Sequence, residues 1–257
     1  MPDWRGASSI NRMKKLTEDL KIEYLLNSGV LLEMGERKIL VDGLPSDLND
    51  FDKLSPELEE EIMARQGDFA GLNDLFFTHC HGDHMSGRKV SEFIRRGDRT
   101  FVVVPENAKL DFPALKKEGG RFFYPQGELG EVGRAAMSAD LDFQYMRTGH
   151  LTFDYPEHYA FNFLRGDTSI MVVGDMDLTK LSLLKKFERR EHAFLVADSF
   201  LVWRKRWCEQ VDKMGFEKVF ICHLPSDAND PWNYRKRGLK GWDEHCKDLP
   251  NWELWNL

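Results

Sequence analysis

FFTHCHGDH, residues 76–84, sets an apolar run directly against three histidines and an aspartate. The whole chain has eight histidines, and three of them fall within these few positions. His79 and His81 are two apart, so in an extended backbone their side chains point the same way. Gly82 permits a tight turn ahead of Asp83 and His84. One short loop can therefore present two pairs of ligands to two adjacent metal ions. Neutral imidazole and carboxylate suit Zn²⁺, and also Mn²⁺ or Fe²⁺. Burying so many histidines beside a strand end without a metal would leave many polar atoms in need of partners.

Two ions need more ligands than this loop holds, and later strand ends supply them. Asp175 closes the apolar run IMVVGD, where a carboxylate can bridge two metals. His223 closes KVFICH in the same way. The third histidine of the first metal is either His150, which follows LDFQYMRTG, or His158, which precedes YAFNF. His150 is favoured, because every other ligand sits just past the C-terminal end of a strand. His158 then becomes a pocket residue or a hydrogen-bond partner of a ligand. His192 and His245 lie in charged segments and read as surface residues.

Around these positions, short β-type runs alternate with amphipathic helical ones. Residues 21–43 read as strands split by turn residues, and 74–79, 100–105, 141–149, 159–166, 169–175, 192–198 and 218–223 as further strands. RGDT makes a hairpin of 159–175. Helices are expected over 55–67, 86–97, most of 105–120, 178–190 and 206–215. The tail from 224 reads as irregular structure with short helices. No repeat of fixed period and no Pro/Gly/Ser-rich linker is visible. One domain over 1–257 is expected, with a Trp-rich C-terminal extension from about 225: an α/β sandwich with helices outside.

Composition bounds the rest. The chain has 257 residues, 42% apolar and 31% charged, the usual balance of a globular protein. A net charge of −7 argues against nonspecific nucleic-acid or anionic-membrane binding over the whole surface. No stretch approaches the ~18 apolar residues of a membrane span. The four cysteines show no C-x-x-C pairing, and the first residues lack the apolar core of a secretory signal. Reduced thiols and a cytoplasmic location are expected.

THCHGDH, then a strand-end histidine, then VVGD, then FICH, in that order between about residues 21 and 225, resembles the metallo-β-lactamase superfamily of metallohydrolases. LVDGLP (40–45) resembles the early strand of that superfamily, with Asp42 as its aspartate supporting the ligands. The resemblance implies a four-layer αββα sandwich of two mixed β-sheets, with the metal site at one edge. It implies His79, His81 and His150 on one metal, Asp83, His84 and His223 on the other, Asp175 bridging, and a hydroxide between the ions. Asp175 stands where zinc β-lactamases typically carry cysteine. The chain is therefore similar to branches that keep two His/Asp-ligated metals: ribonuclease Z-like nucleases, phosphodiesterases, lactonases and glyoxalase II-like thioesterases. Flavodiiron oxygen reductases typically carry glutamate where this chain has His81.

The expected activity is hydrolysis by a dinuclear site, zinc first, with Asp83 in the catalytic centre. The substrate is expected to be a phosphodiester or another anionic small molecule or nucleotide. A nuclease, a lactonase or thioesterase, and a metal-binding scaffold without catalysis are the alternatives. His158 is the first candidate for protonating the leaving group, followed by Tyr155 and Asp198. VWRKRW (202–207) and WNYRKRGLKGW (232–242) interleave cations with aromatic rings, which suits an anionic substrate carrying a ring. The reading favoured over this is an amphipathic C-terminal helix that covers a sheet or forms a dimer contact. Six tryptophans after position 200 suit a packed lid or the interface of a homodimer.

Overall fold

Alternation along each strand decides what it buries. In 192–198, Phe194 and Val196 face one core and Leu195 and Ala197 another. Phe220 and Cys222 are separated in the same way from Val219 and Ile221. Strands apolar on both faces belong inside a layered α/β protein, and the computed structural model shows that architecture. It describes residues 13–47, 52–97, 99–113, 115, 119–151, 157–226, 230 and 232–255.

The first sheet has seven strands in sequence order: β1 (Lys14–Lys15), β2 (Lys21–Tyr24), β3 (Val30–Met34), β4 (Arg37–Val41), β5 (Asp74–Phe76), β6 (Phe101–Val103) and β7 (Arg121–Phe123). The second also has seven: β8 (Val132–Ala136), β9 (Leu141–Arg147), β10 (Tyr159–Arg165), β11 (Thr168–Val172), β12 (His192–Asp198), β13 (Lys218–Cys222) and β14 (Trp252–Leu254). In each sheet the first four strands pair antiparallel and the last four parallel. The pattern repeats although no repeat is legible in the residues.

An inter-sheet core of Phe76, Phe143, Phe161, Phe163, Phe194 and Phe220 joins the two faces. The outer face of the first sheet packs under α1 (Pro56–Met63) and α2 (Gly87–Arg95). Ser55 and Ser86 cap these helices, their hydroxyls accepting from Leu58 N and Lys89 N. A short α3 (Ala108–Asp111) follows β6. The outer face of the second sheet is covered by α4 (Lys205–Asp212), α5 (Tyr234–His245) and a 3₁₀ helix, Leu178–Lys186. The result is the αββα sandwich expected from the sequence.

Four local expectations change. Residues 178–186 form a 3₁₀ helix, because Leu178, Leu181 and Leu184 recur every three residues and all are buried, the side-chain repeat of that helix. The helix expected over most of 105–120 is seen only as α3 within the described residues. The tail is more regular than its composition suggests. α5 runs twelve residues, its first amides from Tyr234 and Arg235 donating to the Asp230 carboxylate. β14 pairs in parallel with β13 at the sheet edge, and three residues are too few for a strand to announce itself by alternation. All four cysteines are free. No helix among the described residues is long and apolar enough to cross a membrane.

Candidate metal centre

β5 delivers the loop that carries the histidines, and the loop is held at both ends by one carboxylate. Asp42, fully buried one residue after β4, accepts from Thr78 N at 2.8 Å, Thr78 Oγ1 at 2.6 Å and His84 Nδ1 at 3.0 Å. Its backbone is left-handed, with φ 49°, as is that of His223 at 63°. Non-glycine residues held there signal a constraint imposed by their surroundings. His84 N and Met85 N both donate to His81 O, turning the chain so that Asp83 and His84 double back. Ser46 N donates to Gly82 O and Ser86 N to Leu44 O, tying the loop to the segment after β4.

The remaining residues arrive from the second sheet at the same edge. His150 and Asp175 follow β9 and β11 and are locked together by a bridge between His150 and Met176, with Leu151 N donating to Asp175 O. Gly174, φ 46°, makes the bend before Asp175, and a Cβ there would stand 2.6 Å from Thr78 Oγ1. Only glycine fits that position. His223 N donates to Asn27 O, and Asn27 Nδ2 donates to Asp83 O, so Asn27 braces both.

Two groups of side chains result: His79, His81 and His150, and Asp83, His84, Asp175 and His223. Within each, the potential ligand atoms all lie within 4.8 Å of one another. Asp175 stands between the groups. Its Oδ1 is 3.3 Å from His84 Nε2 and 3.2 Å from His223 Nδ1, and its Oδ2 is 3.6 Å from His150 Nε2. The His79 and His84 rings are 4.0 Å apart, so the groups adjoin. All seven ligand positions read from the sequence are thus brought together. His150 joins the first group, and His158 does not.

The electrostatics fit a cation. Burial pushes His79 well below the ordinary imidazole value, helped by the neighbouring imidazoles, so it stands neutral and ready to donate a lone pair. Burial and His150 act likewise on His81. Burial works against charge on His84, yet Asp175, Asp83 and Asp42 hold it well above its ordinary value. His223 is raised against burial by Asp175 and Asp198. Asp175 in turn is held well below the carboxylate range, its burial overcome by His84 and His223. Protons on His84 and His223 balance the carboxylates here, and a divalent ion can displace them. The Nε2 atom of neutral His79 is buried without a hydrogen bond, an arrangement that is costly unless a ligand takes the lone pair.

The proton-donor candidates fall differently. His158 is 1% exposed, its ring centre 5.2 Å from that of His79. Its Nδ1 is 2.7 Å from Thr148 Oγ1, and burial pushes it down to about 3, so it stays neutral. Its ring packs beside that of His79. The sequence left His150 and His158 open because β9 and β10 are antiparallel, which puts the end of one beside the start of the other. Asp198, also 1% exposed, contacts His223 Nδ1 and is pushed up to about 6 by burial. It orients His223 and does not face the cleft. Tyr155 lies outside the described residues. His192 is exposed beside Glu217, as expected of a surface histidine. Thr78, Asn27 and Thr148 were not singled out from the sequence. Thr78 alone carried a local signal, being next to His79.

Two mixed sheets under outer helices, with a His/Asp cluster where their strands end, define the metallo-β-lactamase fold, and this chain has it. No protein-family model matches the chain, and no curated protein matches it. Solved structures do. It is similar to Igni18, a metallo hydrolase from Ignicoccus hospitalis, with TM-score 0.58 and 14% identity over 92% of this chain and 95% of that one. Zn²⁺-bound PqqB from Methylobacterium extorquens gives 0.54 and 9% over 93% and 87%. CmlA, a diiron β-hydroxylase from Streptomyces venezuelae, gives 0.59 and 13% over 95% of this chain and 54% of that one.

Proposed function

We propose that the protein is a metal-dependent hydrolase with a dinuclear centre. His79, His81 and His150 would hold one ion, Asp83, His84 and His223 the other, and Asp175 both. The observation that carries this reading is Asp175, which turns one carboxylate oxygen toward each group. When bound, a pair of divalent ions supplies Lewis acidity, making water nucleophilic near neutral pH and polarising the bond to be cleaved. The chain's own side chains fix the geometry for that chemistry. Asp42 holds Thr78 and His84, Asp198 orients His223, and His158 packs beside His79. Asp83 and Asp175 offset part of the positive charge. His81 is the exposed member of the set and marks the side from which substrate approaches.

The donor set favours zinc, with manganese and iron as alternatives. Among the similar structures, PqqB is Zn²⁺-bound and CmlA is a diiron β-hydroxylase, in keeping with zinc and iron both standing in this reading. The substrate class we favour is a phosphodiester or another anionic small molecule or nucleotide. The basic and aromatic residues around α5 support it.

Metal analysis of the purified protein followed by a hydrolysis panel tests the reading. The panel comprises bis-p-nitrophenyl phosphate, cyclic nucleotides, RNA, lactones and thioesters. Two ions per chain and turnover of a diester are expected, with Asp83→Ala and Asp175→Ala reducing turnover to background. A wild-type rate surviving either substitution would overturn the site. Turnover of RNA with binding that falls steeply in salt would assign a nuclease. Two bound ions with no turnover across the panel would assign a scaffold.

A further inference from the structure

Rings and cations collect on α5 and the segment after Asp198, next to the residues that follow His223. α5 lies against the residues that follow His223. A Cβ on Gly238 would stand 2.5 Å from Leu224 Cδ2 and 3.7 Å from Ser199 Cβ, and Arg235 Nη1 donates to Pro225 O at 3.0 Å. The 3₁₀ helix Ser199–Trp203 starts directly after Asp198, the residue that orients His223. From there the rings step outward. Phe200 is 5.1 Å from Tyr234, and Tyr234 is 5.6 Å from Trp232 with the planes 29° apart. Trp203 closes the group, 4.2 Å from Phe200 and 5.7 Å from Tyr234.

Trp232, the outermost ring, is 49% exposed. A lone exposed apolar side chain needs no explanation. Trp232 is not alone: it ends a run of rings that starts at Phe200, two residues after Asp198. Two cations accompany it. Arg237 lies 3.6 Å from the Trp203 ring, and neither it nor Lys236 pairs with a carboxylate among the described residues. In a chain of net charge −7, that is a local positive face beside an aromatic one.

We propose that this surface binds the heteroaromatic ring of a nucleotide, with Trp232 stacking on the base and Lys236 and Arg237 attracting its phosphate toward the cluster. The inference rests on reading the cluster as the metal centre that receives the anionic group. Base-on-tryptophan stacking tolerates any base, because every base has a π face. Selectivity at this surface is therefore for the presence of a ring and not for its identity.

The test is calorimetric binding to the zinc-loaded protein, which does not depend on turnover. The ligands are adenosine 5′-monophosphate, ribose 5-phosphate and a short oligoadenylate. Adenosine monophosphate should bind at least about fivefold more tightly than ribose 5-phosphate. Trp232→Ala should abolish that difference with an unchanged melting temperature, and Trp232→Phe should retain most of it. Lys236→Glu should weaken both phosphates alike. Oligoadenylate binding above that of the mononucleotide, with a steep salt dependence, identifies a strand as the source of the ring; equal binding identifies a free nucleotide. Equal affinity for the two small phosphates, a difference that survives Trp232→Ala, or loss of both ligands together with a fall in melting temperature would overturn the proposal. If nucleotides bind as described while no substrate of the hydrolysis panel is turned over, the ring site stands and the hydrolase reading falls.

Discussion

Asp198 shows how a single side chain outside the ligand set can govern it. Its carboxylate contacts His223 Nδ1 and also accepts from Phe200 N. Asn at 198 keeps an acceptor for the Phe200 amide and removes the charge that orients the imidazole. Asp198→Asn should therefore fold normally and lose about 10- to 100-fold in metal affinity, measured by competition with a chelator. His192 offers a contrast far from the centre. Its bond to Glu217 raises its pKa, so its contribution to stability is full below about pH 6.5 and fades as pH rises through the folded-state value. His192→Gln should lower the urea midpoint at about pH 5.5 and leave it unchanged at about pH 9. The reverse order would show that the pair does not form.

At the scale of elements, the packing of α5 rests on its glycines. A Cβ on Gly241 would stand 2.4 Å from the Val202 carbonyl oxygen, a backbone atom that cannot rotate away. Helix propensity alone favours alanine there by about 1 kcal/mol. The close approach should reverse that sign, so Gly241→Ala is expected to destabilise the protein by about 1–3 kcal/mol in chemical denaturation. A stabilised variant would mean that α5 packs elsewhere. These glycines lower the helix propensity while serving its contact, and α5 is the sheet-covering helix that 232–242 suits by sequence. The 3₁₀ helix at 178–186 is a different case: 178–190 reads from sequence as an ordinary helix, and the buried leucines at intervals of three match the tighter turn that the packed molecule adopts.

At the scale of the molecule, the two sheets meet through aromatic rings. Phe76 is fully buried, with Phe101, Phe143, Phe161 and Phe163 at 4.9–6.1 Å. Phe76→Ala should cost about 3–5 kcal/mol in denaturation. The folded fraction should still bind metal, because Asp42 and Asn27 hold the loop independently of that ring. Loss of metal at temperatures where the variant remains folded would show that the core and the centre are one cooperative unit. Each sheet runs through the same order, antiparallel strands then parallel ones. The ligands therefore collect where parallel β5, β11 and β13 end.

The sequence by itself determined which side-chain types form the His/Asp cluster and their order along the chain. His79, His81, Asp83 and His84 share one loop, and Asp175 and His223 close apolar runs, so local pattern was enough. It also determined the layered fold, because strands apolar on both faces need cover on both sides. Only the tertiary structure decided between His150 and His158, since that choice depends on which strand ends adjoin across an antiparallel pair. Only it buried Asp198 and His158, both candidate proton donors by sequence, because burial is a property of the packed molecule and not of neighbouring residues. The strand at 252–254 and the bracing by Thr78 and Asn27 were hidden for the same reason: their partners are distant in sequence, and contacts across such separations leave no period to read.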